Sequence, residues 1–134
     1  MKEFQTQLRV RYKETDQMQV VYYSNYLVWF EVARVELFRS IGIPYKELEK
    51  RGLYLMVVDA QCSYKSPARY DDLIAISCSA SNIKNTSLSF TYKIYREKEL
   101  LATGLTSHVF TDTKKRPVKI PAEIKEKLIK CQVS

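Results

Sequence analysis

At 134 residues, 46% of them hydrophobic and 28% charged, the chain is too apolar for a disordered polymer and long enough to close one hydrophobic core without disulfide or metal staples. Its net charge of +7 suits an anionic partner, nucleic acid or a phosphate-rich small molecule alike, but the basic residues are scattered, and the one dense run, KKRP at 114–117, reads as a solvated turn. No stretch approaches the ~20 apolar residues of a membrane span, the N-terminal MKEFQTQLRV alternates instead of forming a signal core, and Cys62, Cys78 and Cys131 lack C-x-x-C spacing, so a cytoplasmic protein without membrane insertion is expected.

In FQTQLRVRY, Phe4, Leu8, Val10 and Tyr12 alternate with Gln5, Gln7, Arg9 and Arg11, which predicts a half-buried strand reaching about Tyr12. KETDQMQVVYYS breaks that pattern. Ser24 or Asn25 can then cap a helix that continues to Ile41 and stops at Gly42 and Pro44. At 100° per residue, Tyr26, Trp29, Phe30, Ala33, Leu37 and Ile41 gather on one face of it, with Glu31, Arg34, Glu36 and Arg39 elsewhere. Leu27, Val28, Val32, Val35 and Phe38 extend the apolar character beyond one stripe, so this helix is expected to meet a second layer or a second subunit.

After a short helical turn in PYKELEKRG, four strand-like runs follow, at about 53–66, 73–84, 87–96 and 99–112. Pro121 opens a C-terminal helix carrying Ile124 and Leu128. One strand, a long helix and four consecutive strands predict an α+β fold, an antiparallel sheet on one central helix, with a core over about 4–112 and a helix over 121–131 in a single domain. Such a sheet leaves edges exposed, and dimerisation would cover them.

Asp16 falls in the connection between the first strand and the long helix. A carboxylate there can face whatever approaches the helix N-terminus, whose unpaired N–H groups favour developing negative charge. The pairing suits acyl transfer, with the acid activating water or attacking a carbonyl. The plainer alternative, an Asp that only caps its loop, is the reading these residues by themselves favour.

The string DQMQVVYYSNYLVWFEVAR, 16–34, resembles the D-x-M-G-V-V-Y-H-x-x-Y-L-x-W-F-E-x-A-R signature of the hot-dog fold acyl-CoA thioesterases of the 4-hydroxybenzoyl-CoA and Tol-Pal-associated type, and PARYDD at 67–72 extends the likeness. The resemblance implies a hot-dog fold, acyl-CoA as substrate, no cofactor, and a homodimer or homotetramer. It implies Asp16 as general base or nucleophile and the backbone N–H near Tyr23 as the donor to the thioester carbonyl. Tyr22, Asn25 and Tyr26 would contact substrate, and Lys84, Asn85 and Thr86, with Lys65 or Arg69, would meet the coenzyme A phosphates. Gln19 replaces the usual Gly and Tyr23 the usual His. Gln resists the positive φ that Gly permits, so a differently shaped loop is expected; Tyr23 can donate a hydrogen bond but is a poor base at neutral pH.

Other chemistries find little support. His108, the only histidine, lies late in the last strand and is expected to be a sheet residue, and no G-x-S-x-G motif is present, which argues against a Ser-His-Asp hydrolase. One His with dispersed acids gives no metal-ligand spacing. Glu31 is expected to pair with Arg34 or Arg39. Trp29 could line an acyl pocket, although aromatics at helical spacing are more often core. A non-catalytic hot-dog dimer that binds an acyl thioester or a protein partner is the alternative to an enzyme, and a nucleic-acid-binding module a distant third.

Overall fold

The computed structural model describes residues 3–132. Strands β1 (Phe4–Arg9), β2 (Tyr54–Tyr64), β3 (Leu73–Ser81), β4 (Ser87–Arg96) and β5 (Glu99–Thr111) form one antiparallel sheet in the order β1-β3-β4-β5-β2. The long helix α1 (Asn25–Ser40) packs on its inner face, with α2 (Tyr45–Lys50) and α3 (Ala122–Ile129) beside it. This is the hot-dog arrangement, a sheet wrapped around one central helix.

Period-two patterning explains the sheet's two faces. Along β4, Leu88, Phe90, Tyr92 and Ile94 are buried under the helix while Thr91 and Lys93 are exposed. The helix lies close because Gly104 of β5 has no side chain. A Cβ there would sit 2.2 Å from the Phe30 ring, which stacks on Tyr92 at 4.4 Å.

Several sequence expectations shift. β1 stops at Arg9, not Tyr12, because the Arg11 N–H donates to the Glu14 carboxylate (2.7 Å) and residues 12–14 wind into a 3-10 turn that leaves Tyr12 exposed. Ser24 precedes α1 without a side-chain cap bond, and Asn25 turns its amide back to the Glu14 carbonyl (2.9 Å). Trp29 is buried in the core. Arg34 is not on a solvated face. It is buried, donating from Nε to the Tyr45 hydroxyl (2.8 Å) and from its terminal nitrogen to that of Tyr92 (3.0 Å), so Glu31 does not pair with it, and Arg39 pairs with Glu36 instead. The hydropathy period counts a guanidinium as polar, but here two tyrosine hydroxyls satisfy it inside.

From Tyr92 the network continues to Thr106 Oγ1 (2.6 Å) and on to His108 Nε2 (2.7 Å). His108 is a fully buried β5 residue whose Nδ1 has no partner among the described residues; burial, then the nearby Arg34 charge, depresses its pKa to about 3.

Two apolar features stay uncovered. On α1, Leu27, Val28 and Val32 are exposed, and on the edge strand β2 so are Tyr54, Met56, Val57, Val58 and Tyr64. Among the described residues no helix is long and apolar enough to cross a membrane.

Candidate active site

Between β1 and α1 the chain forms a tight hairpin. Thr15 bridges Val21 antiparallel, the Asp16 N–H donates to the Val20 carbonyl (3.0 Å), and the Tyr22 N–H donates to that of Glu14 (2.9 Å). Buried Val21 roots it, its N–H donating to the Ala68 carbonyl (2.8 Å). At the tip Gln19 has φ 65°, with its N–H on the Asp16 carbonyl (3.0 Å). Gln19 adopts the positive φ that it was expected to avoid, and does so at a cost. The ladder beneath fixes the turn, and Gln accepts a cost of roughly 1–2 kcal/mol that Gly would not meet.

Asp16 uses one carboxylate oxygen to accept the Met18 N–H (2.8 Å). Its other oxygen accepts nothing among the described residues, and the side chain borders a cavity lined by Tyr12, Thr15, Gln19, Arg69 and Tyr70. The Tyr12 and Tyr70 rings meet edge to face at 5.5 Å on its rim. Tyr22 and Tyr23 lie just beyond, their rings 4.7 Å apart. The Tyr22 pKa is raised, first by the Tyr23 hydroxyl and more weakly by Asp16, which places Tyr22 within the field of that carboxylate.

The start of α1 supplies donors. The N–H groups of Asn25, Tyr26 and Leu27 are spent on the carbonyls of Tyr22, Tyr23 and Ser24, whereas those of Tyr23 and Ser24 find no acceptor among the described residues. Both are held in place through their own peptide planes. The Asn25 N–H holds the Tyr22 carbonyl (3.0 Å), which orients the Tyr23 N–H, and the Tyr64 hydroxyl holds the Tyr23 carbonyl (3.0 Å), which orients the Ser24 N–H. Burial and a hydrogen bond with Cys62 push the Tyr64 pKa up to about 12, so it stays a donor at neutral pH. Two oriented N–H groups can polarise a carbonyl, and a carboxylate can activate or supply a nucleophile.

The other candidates fall in three places. Tyr23 and Tyr26 line a second cavity with Val21, Tyr64, Lys65, Ser66 and Pro67, which shares no lining residue with the Asp16 cavity. Tyr26 is buried, its hydroxyl accepting the Ala68 N–H (3.0 Å), and Asn25 commits its amide to Glu14. Lys84, Asn85 and Thr86 form the β3–β4 turn, at the far end of the nine-residue β3, about 30 Å along that strand from the Asp16 end. One protomer therefore places Asp16 with Arg69 at one cavity and Tyr23, Tyr26 and Lys65 at another, and leaves 84–86 apart.

Glu14, Tyr64 and Tyr70 went unrecognised in the sequence. The indole N–H of Trp29 carried a usable signal for Glu14, because a core tryptophan needs an acceptor and an acid in the adjoining turn is the natural one.

With the geometry described, the chain can be set beside known proteins. Residues 10–128 match the family model of the thioesterase-like superfamily. A putative acyl-CoA thioesterase of Bacillus subtilis, YneP, is 37% identical over 107 residues, covering 79% of this chain and 78% of that protein. The acyl-CoA thioesterase YbgC of Haemophilus influenzae is 31% identical over 124 residues, 91% of each chain. Among solved structures, a DHNA-CoA thioesterase from Staphylococcus aureus superposes with a TM-score of 0.89 at 30% identity, covering 94% of this chain and 88% of that one.

Proposed function

This chain belongs to the thioesterase-like superfamily, and from that membership we propose that it hydrolyses the thioester of an acyl-CoA, with Asp16 as the catalytic carboxylate. The observation that carries the proposal is that one hairpin and the helix start it leads into hold both an Asp16 oxygen that is unengaged and N–H groups of Tyr23 and Ser24 that are unspent among the described residues. The thioester oxygen accepts from Tyr23, with Ser24 as second donor, and negative charge grows where the helix start favours it. Asp16 either takes a proton from a water that attacks the carbonyl, so that the C–S bond breaks and the acid and coenzyme A thiol leave, or adds to the carbonyl itself, expelling coenzyme A thiolate and forming an acyl–Asp anhydride that water then cleaves to the acid and free Asp16. Tyr22 borders the reacting group, while Asn25 and Tyr26 hold the helix start behind it.

The uncovered edge of β2 and the apolar strip on α1 support a homodimer. If two β2 strands pair antiparallel about their middle, the 82–86 turn of one subunit comes to the Asp16 end of the other. The partner's Lys84 would then meet coenzyme A phosphates, together with Lys65 and Arg69 of the first subunit. Three free thiols, Cys62, Cys78 and Cys131, suit a reducing cytoplasm.

The second reading, a dimer that binds an acyl thioester without cleaving it, draws on the Asp16–Met18 hydrogen bond, which serves the loop whether or not there is chemistry. Release of free thiol from short-chain, long-chain and aromatic acyl-CoAs separates the two readings. Turnover by the wild type and its loss in Asp16→Asn is expected; binding with no turnover of any substrate would favour the second. Mixing Asp16→Asn with Lys84→Ala subunits tests the shared site, since mixed dimers hold one intact site and recover low-KM turnover, and a lack of recovery would place Lys84 outside it.

A further inference from the structure

Glu14 is the buried carboxylate of the hairpin, 4% exposed, and it faces the core instead of the substrate. Its Oε2 accepts the indole N–H of Trp29 (2.9 Å), the second turn of α1, and its Oε1 accepts the Arg11 N–H (2.7 Å), with the Arg11 guanidinium at 3.4 Å. Its carbonyl accepts both the Tyr22 N–H and the Asn25 amide, each at 2.9 Å. One residue thereby ties the 3-10 turn, the returning arm of the hairpin and two turns of the helix together. Asp16 lies two residues on, at most about 7 Å along the chain, and the only residue between them, Thr15, is pinned by its bridge to Val21 and by its hydroxyl on the Tyr12 carbonyl (2.7 Å).

We propose that Glu14 is a positioning residue for the reaction, its bond to Trp29 setting the Asp16 carboxylate against the Tyr23 and Ser24 N–H groups. A loop hairpin anchored only at Val21 could pivot; the Glu14 carboxylate fixes its angle to the helix that carries the donors. The requirement is geometric. An offset of about 1 Å between acid and carbonyl is enough to cost on the order of 100-fold in rate, while ground-state binding, made mostly elsewhere on coenzyme A, is spared. The inference rests on the catalytic reading of Asp16, and its test includes a readout that does not depend on it.

The test uses Glu14→Gln, which keeps the volume but leaves one acceptor oxygen for two donors, and Trp29→Phe, which removes the same bond from the helix side. For each variant we expect kcat per folded protein to fall about 10- to 100-fold with KM within about 3-fold of the wild type. The double variant should lose little more than either single one, as for two ends of one interaction. Trp29 is the only tryptophan, so its emission reports the contact directly and should change in Glu14→Gln. Independently of activity, amide exchange at Gln19, Val21 and Tyr22 should rise at least about 10-fold in Glu14→Gln while β4 amides keep their protection. A lowered melting temperature with unchanged kcat and unchanged hairpin exchange would overturn the proposal. Should the wild type hydrolyse no thioester, faster hairpin exchange would still support the anchoring role, and unchanged exchange would reject it.

Discussion

Two hydrogen-bonded networks hang on α1, one at its first turns and one at its middle. The first, around Glu14, ends at the surface in an Asp16 oxygen and two backbone N–H groups with nothing to bind. The second runs Arg34–Tyr92–Thr106–His108 through the core, every member buried. Both contain titratable groups, and the buried one holds the more strongly perturbed. The difference teaches that a large pKa shift marks burial first and chemistry only when the group can be reached: His108, driven to about 3, is sealed, whereas Asp16 faces a cavity. Reading function from the most perturbed group would point to the middle of the helix, away from the start at which the proposed function places the chemistry.

The contrast can be broken most forcefully on the sealed side. Gly104→Ala drives a Cβ to 2.2 Å from a Phe30 ring already stacked on Tyr92, and we expect about 3 kcal/mol of destabilisation in urea titrations. An unchanged midpoint would show that the helix can lift from the sheet. Acid comes next. His108 has its folded pKa below the ordinary 6.5, so below that pH the unfolded chain binds a proton that the folded chain refuses; its contribution is complete above pH 6.5 and is lost as pH falls toward about 3. Between pH 6.5 and 5 this amounts to about 2 kcal/mol, and stability measured for the wild type beside His108→Asn should show that slope disappear. The pH dependence of kcat per folded protein should be the same in both.

The smallest effect sharpens the open side. Gln19→Gly relieves a positive φ of 65°, and we expect a gain of about 1 kcal/mol, with kcat within about twofold because the hairpin already has the glycine-like shape. A large change in kcat would mean that the Gln19 side chain, which borders the Asp16 cavity, takes part in binding.

Much of this was legible in the sequence. Alternation along β4 and the 3.6-residue stripe of α1 gave the sheet, the helix and their contact, since burial on one face leaves a periodic trace. Asp16 and the helix start were singled out through a motif, and the structure describes their surroundings. Arg34 was not, because hydropathy has no way to register two tyrosine hydroxyls, from α2 and β4, waiting inside the fold. Glu14 escaped for the same reason: its value lies in a bond to a residue 15 positions away. Gln19 misled because propensity was weighed without the ladder that overrides it. The separation of Lys84 from Asp16 along β3 is a matter of register, which no local pattern encodes.

The most direct test sets Asp16→Asn beside Tyr92→Phe, each followed by thiol release from acyl-CoA and by thermal melting. For Asp16→Asn we expect kcat to fall at least about 100-fold with the melting temperature nearly unchanged. For Tyr92→Phe, which removes one of the hydrogen-bond partners of each of Arg34 and Thr106 in the core, we expect about 1–3 kcal/mol of lost stability with kcat per folded protein unchanged. An Asp16→Asn protein that folds and hydrolyses acyl-CoA at the wild-type rate would contradict the assignment of Asp16 as the catalytic carboxylate.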